Sequence, residues 1–160
     1  GMYAALTAGV PFRDIEALKA GTAISTDITA ERWRHFGHSD APVCTPYEAG
    51  TILAGVAEAH SFTLFEYFLT DKAGHEMNPA KARHVLGEVD ALLHGVYDAV
   101  DRDHTLVIVT SDHGNMEEIG IKTHTRHPVP AIFFGNRSGF AYQGLISLSH
   151  LIPAVRRFLD

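Results

Sequence analysis

Hydrophobic positions follow two rhythms along this chain. Val85, Val89, Leu92, Leu93, Val96 and Val100 recur at helical spacing behind Pro79, which predicts a long helix from Pro79 to about Asp101 with one apolar stripe. Thr45-Pro46-Tyr47-Glu48 places a capping hydroxyl, a proline at the first helical position and a glutamate at the third, predicting a second helix that runs to about Ala59. Its apolar face reads as Ile52, Leu53, Val56 and Ala57. Between these helices the period shortens. Ser61 to Leu69, rich in aromatic and β-branched residues, predicts a strand mostly buried on both faces. Thr105 to Thr110 and Val129 to Phe134 predict two more strands, and Leu148 to Leu159 a closing amphipathic helix with Pro153 near its first turn. The first forty or so residues are irregular apart from a short helical pattern from Phe12 to Ala20 that Gly21 closes.

Helix, strand, helix, strand, strand, helix is the alternation of an α/β protein, here a layered α/β/α arrangement around a largely parallel sheet. Residues 1–44 read as a peripheral irregular lobe or the remnant of a cap region, and residues 45–160 as the α/β domain. No internal repeat or low-complexity segment interrupts them.

Composition narrows the function classes. The 160 residues, 46% of them hydrophobic, suffice for one filled core. Thirteen basic against nineteen acidic residues, with no Lys/Arg cluster, argue against a nucleic-acid partner. No apolar run has the length of a membrane span and no secretory signal opens the chain, so a cytoplasmic protein is expected. Cys44, the single cysteine, has no partner for a disulfide or a thiolate metal site. Gly1-Met2 resembles the scar of a removed tag, which gives the expectation that the chain begins inside a longer protein.

Eleven histidines are many for this length, and the chemistry gathers where the apolar strands end. The run Leu106-Val107-Ile108-Val109 leads into Thr110-Ser111-Asp112-His113-Gly114-Asn115, placing carboxylate and imidazole groups at the carboxyl edge of a sheet, where open α/β folds keep their sites. Asp71-Lys72-Ala73-Gly74-His75 follows the first predicted strand, and Gly74 allows a tight turn that brings Asp71 and His75 onto one ion. Asp112 and His113, as neighbours in extended backbone, point to opposite sides and more naturally serve different ions or span a two-ion centre. His124 sits between Thr123 and Thr125, ahead of His127-Pro128-Val129-Pro130. Each of the three has a plainer reading, as a turn cap, a helix cap or an exposed loop histidine. Their coincidence at successive strand ends favours metal ligands.

Asp-x-x-x-His after a strand, then Asp-His-Gly-Asn, then Thr-His-Thr-x-x-Pro-Val-Pro, resembles the alkaline phosphatase superfamily, nearest to the branch of cofactor-independent phosphoglycerate mutases and related metalloenzymes. The resemblance covers Phe65 to about Gly135. It implies an alkaline-phosphatase-like fold, a first metal on Asp71, His75 and His124, and a second on Asp112 and His113. It also implies two divalent ions in the whole enzyme, one or none in this chain, with Zn²⁺, Mn²⁺ or Fe suited to such ligands. His127, Lys72 and Asn115 are then candidates for holding those ligands or contacting an oxyanion.

Two parts of that family's pattern are missing. Relatives begin with a strand carrying a further Asp ligand and a Ser or Thr nucleophile at a helix start. Here Asp14 and Asp27 do not follow apolar strands, and Ser25, Thr26, Ser39 and Thr45 read as caps and turns. The expectation is therefore the metal-binding C-terminal part of a phosphomutase or phosphoesterase acting on a small phosphorylated substrate, incomplete in fold, inactive alone, and assembling as a homodimer through exposed apolar surface. The alternative is a regulatory or assembly domain that retains the fold with structural histidines.

Overall fold

The computed structural model describes residues 2–141 and 143–159; Gly1, on which the tag-scar expectation partly rests, lies outside them. The described elements are α1 (Met2–Thr7), α2 (Ile15–Lys19), α3 (Glu31–His35), α4 (Pro46–Glu58), α5 (Leu69–His75), α6 (Pro79–Ala99), β1 (Leu106–Thr110), a 3₁₀ turn (Met116–Glu118), β2 (Ala131–Gly135), α7 (Ser138–Ala141), a second 3₁₀ turn (Leu148–His150) and α8 (Leu151–Leu159). The class is mixed α/β.

The two long helices form where local chemistry demands them. Thr45 accepts from the Glu48 backbone N–H while the Glu48 carboxylate returns to the Thr45 N–H at 2.7 Å, closing a reciprocal cap on α4. That exchange holds the Glu48 carboxyl below its ordinary range. At α6 the Asn78 side chain accepts from Lys81 N–H at 3.0 Å, ahead of Pro79. The face that α4 buries is narrower than its larger apolar residues suggested: Ala49, Gly50 and Ala54 are buried, whereas Ile52, Leu53 and Val56 are half-covered. The cause is a close crossing. A Cβ on Gly50 would stand 2.1 Å from the Leu92 carbonyl oxygen of α6, and one on Gly95 would stand 2.0 Å from that of Tyr47, so only small residues let these backbones meet.

Ile28, fully buried, packs with Ala49 and Leu92 in one core cluster, against which Cys44, Phe65 and Tyr67 lie. The backbone around it is unusual, with Ile28 at φ 67° and Ala30 at φ 64°. Asp27 holds it in place. Its buried carboxylate accepts from Ala30 N–H at 3.2 Å and Arg32 N–H at 2.9 Å and from the Ser25 hydroxyl, so Asp27 braces the start of α3. A second cluster joins Ala73 of α5 to Ala82 and Val85 of α6, with Tyr67, Leu69, Met116 and Ile119 against it. It carries the candidate site.

The sheet departs from expectation. Among the described residues it has two strands, β1 and β2, paired antiparallel with Ile108 opposite Phe133, in place of the largely parallel sheet. Ser61 to Phe68 joins no ladder, and Leu69 already belongs to α5. Burial nonetheless alternates along this segment: Thr63, Phe65 and Tyr67 are half-covered, while Phe62, Leu64 and Phe68 are exposed. Its side chains obey strand periodicity, but a strand also needs a neighbour for its N–H and C=O groups. β1 is likewise half-buried throughout. Among the described residues no helix is long and apolar enough to cross a membrane.

Candidate metal centre

Asp71 and His75 come together by a route other than a tight turn. Both lie on α5, one helical turn apart, so they share a face, and Asp71 Oδ1 stands 3.3 Å from His75 Nε2. The second strand end delivers His113, and the loop after the 3₁₀ turn delivers His124. His124 Nε2 lies 3.2 Å from Asp71 Oδ1 and 3.1 Å from His75 Nε2. These three contacts form a nearly equilateral triangle of one carboxylate oxygen and two imidazole nitrogens. Ligands about 2.0–2.1 Å from a tetrahedral ion stand about 3.3 Å apart, so the triangle has the edge of such a coordination sphere.

A tautomer is fixed within it. His75 Nδ1 lies 2.5 Å from the Lys122 carbonyl oxygen, which can only accept, so Nδ1 carries a proton and Nε2 is the ring nitrogen that faces the triangle. Two imidazole nitrogens and an anionic oxygen at these separations call for a proton or a cation between them.

His113 joins the same group. Its ring stacks on that of His124, centroids 3.6 Å apart and planes at 15°, and its Nε2 is 3.9 Å from Asp71 Oδ1. Asp71, His113 and His124 each offer a ligand atom within 4.8 Å of the others, a group able to hold a metal ion. Asp71 Oδ1 therefore belongs to two overlapping triads. Asp112 and His113 would face opposite ways in extended backbone. Residues 112 and 113 instead bend, and Asp112 Oδ1 sits 3.5 Å from His113 Nε2. Asp112 itself is 87% exposed in its side chain.

Asn115 is drawn into the centre. Buried to 6% exposure, it donates from Nδ2 to Asp71 Oδ1 at 2.5 Å and to the Asp71 carbonyl at 3.1 Å, steadying the carboxylate. Gly74 accommodates it: a Cβ there would lie 2.0 Å from Asn115 Oδ1. The other two supporting candidates stand apart. Lys72 is exposed and its charge acts on Glu76, while His127 is exposed with Nε2 3.4 Å from Glu118 Oε2.

Sequence reasoning missed Glu117 and Thr125. The Thr125 hydroxyl donates to Glu117 Oε1, Asn115 N–H donates to Glu117 Oε2 at 2.7 Å, and Thr125 N–H donates to the Gly114 carbonyl at 2.9 Å. The hydroxyl's donation, foremost, holds the Glu117 carboxyl below its ordinary range. The one available signal was an acidic residue just after Asn115, a position from which a carboxylate reaches back to free N–H groups.

With this geometry in hand, the sequence can be placed. Residues 47–146, more than half of the chain, match the family model described as the Metalloenzyme superfamily. The chain belongs to the metalloenzyme superfamily. Curated proteins similar to this chain carry the name 2,3-bisphosphoglycerate-independent phosphoglycerate mutase. One from Picrophilus torridus is 33% identical over 81 residues, 51% of this chain and 19% of its own length. One from Chromohalobacter salexigens is 28% identical over 127 residues, 74% of this chain and 24% of its own length. One from Pyrococcus abyssi is 28% identical over 76 residues, 48% of this chain and 18% of its own. The chain thus spans about a fifth of the length of the curated relatives it matches. No solved structure matches it significantly.

Proposed function

We propose that this chain supplies the metal-binding share of a metal-dependent phosphoryl-transfer enzyme, a phosphomutase or phosphoesterase acting on a small phosphorylated substrate in the cytoplasm. The observation that carries the reading is the triangle of Asp71 Oδ1, His75 Nε2 and His124 Nε2, with edges of 3.1 to 3.3 Å. The names of the mutase relatives support the reaction class. In this reading Asp71, His75 and His124 hold the first divalent ion, while Asp112 and His113 contribute to a second. Zn²⁺ or Mn²⁺ suits the mixed oxygen and nitrogen donors. Bound divalent ions supply Lewis-acid polarisation of a phosphoryl oxygen and stabilise developing charge.

The chain's own residues orient this centre. His75 holds its Nδ1 proton on the Lys122 carbonyl, and Asn115 holds the Asp71 carboxylate. No serine or threonine is assigned as the phosphoryl acceptor, and in this reading that hydroxyl and the layered parallel sheet belong to the whole protein, with residues 1–44 peripheral to the domain at 45–160.

Titration of the full chain with Zn²⁺ is expected to show one tight site. His124→Ala is expected to lower its affinity by more than the roughly 10–100-fold typical of losing a supporting partner. Unchanged stoichiometry and affinity after that substitution would remove His124 from the ligand set.

A further inference from the structure

His113 and His124 stand on separate loops, residues 111–115 and 123–125, with a 3₁₀ turn between them and a single β-bridge, Gly114 to Thr125, joining them. Loops of this kind do not by themselves hold two imidazoles stacked at 3.6 Å. Something must fix one loop against the other. One main-chain hydrogen bond does so, from Thr125 N–H to the Gly114 carbonyl at 2.9 Å, and outside the ligand group itself the Glu117 side chain bonds both loops.

We infer that Glu117 is the positioning residue of this metal centre: its two carboxylate oxygens fasten the loop bearing His113 and Asn115 to the loop bearing His124. The inference rests on the metal-centre reading given above. Oε2 takes the Asn115 N–H at 2.7 Å and Oε1 takes the Thr125 hydroxyl proton. The Thr125 oxygen in turn accepts from His127 N–H at 3.3 Å, so the hydroxyl is oriented from both sides. Each fastened residue abuts a site group. Asn115 reaches forward to Asp71 Oδ1 at 2.5 Å, and Thr125 directly follows His124. Gly114 leaves room for the clasp, since a Cβ there would lie 2.1 Å from Thr125 Oγ1 and 2.5 Å from Glu117 Oε1. Two donors approach from two sides, so the task suits a group with two acceptor oxygens and no donor. Glu118, one residue on, serves the exposed His127 and takes no part.

The test is Zn²⁺ affinity of the full chain, read by competition with a chromophoric chelator, alongside melting of the metal-free protein. Glu117→Ala is expected to weaken Zn²⁺ binding about 10–100-fold, as loss of a ligand's supporting partner does. Glu117→Gln, which retains one acceptor oxygen, is expected to recover part of that loss. Thr125→Val is expected to weaken binding too, and the double variant Glu117→Ala/Thr125→Val to bind no more weakly than the worse single one, because both cut the same link. Glu118→Ala, which removes an equal charge next door, is expected to stay within twofold of the unaltered chain. If Glu117→Ala does not fold, Glu117→Gln and Thr125→Val carry the comparison. Affinities within twofold of the unaltered chain, losses that add in the double variant, or an equal loss in Glu118→Ala would each overturn the inference. An unaltered chain that binds no Zn²⁺ removes the metal-centre reading along with it; binding that is indifferent to Glu117 removes this inference alone.

Discussion

Asp71→Ala is expected to cost the chain more Zn²⁺ affinity than any other single substitution at the site, beyond the roughly 10–100-fold of a lost supporting partner. The reason is its place in the geometry. Asp71 Oδ1 lies 3.2 Å from His124 Nε2, 3.3 Å from His75 Nε2 and 3.9 Å from His113 Nε2, so it contacts all three imidazoles. It also supplies the negative charge at their centre. Without it, two or three neutral imidazoles would face a dication alone, and Asn115 would lose the acceptor that its Nδ2 holds at 2.5 Å. Asp71→Asn separates these contributions, keeping shape while removing charge. It is expected to bind nearly as weakly as the alanine variant, since the carboxamide keeps an acceptor oxygen for Asn115 but brings no charge to the ion. Calorimetric titration reads both. Affinity within fivefold of the unaltered chain in either variant would show that this carboxylate is not a ligand.

What the amino-acid order disclosed about this protein was whatever neighbours in the chain decide. The Thr45–Glu48 cap, Pro79 behind Asn78 and the apolar stripe of α6 are contests settled within a few residues, and the helices stand within a residue or two of where they were expected. The alternation from Thr63 to Leu69 was equally legible as side-chain periodicity. It failed as a strand because hydrogen bonding to a neighbouring strand is decided by distant chain.

The site divides in the same way. The spacing of four between Asp71 and His75 fits a tight turn or one turn of helix, and buried Ala73 packing against Ala82 and Val85 goes with the helix. His113 was expected to point to the side opposite Asp112 because the two were read as neighbours in extended backbone. The backbone bends at residues 112 and 113, and the His113 ring stacks on His124 instead. Glu117, in the 3₁₀ turn, and Thr125, in the loop after it, stand eight residues apart, a spacing with no periodic signature, so the clasp they form emerges only when the two segments meet.

Gly74→Ala is expected to lower stability by about 1–3 kcal/mol, the usual cost of forcing extra volume into a filled space, although alanine is the better helix former by about 1 kcal/mol. Gly74 lies inside α5, and an added Cβ would meet Asn115 Oδ1 at 2.0 Å and its Cγ at 2.5 Å. The carboxamide would have to leave, and its hold on Asp71 Oδ1 would go with it. Zn²⁺ affinity is therefore expected to fall with the melting temperature. The same substitution at Gly87, on α6 with nothing within 4 Å of its added Cβ, is expected to raise the melting temperature, because there only helix propensity acts. Pairing Gly74→Ala with Asn115→Ala removes the obstructing carboxamide, so melting should recover toward the unaltered protein. The affinity should not, because the donor that steadied Asp71 is gone as well. Thermal melting and Zn²⁺ titration of the four proteins distinguish the two effects. A Gly74→Ala variant that melts as high as Gly87→Ala would show that α5 and Asn115 are not in the contact that shapes this centre.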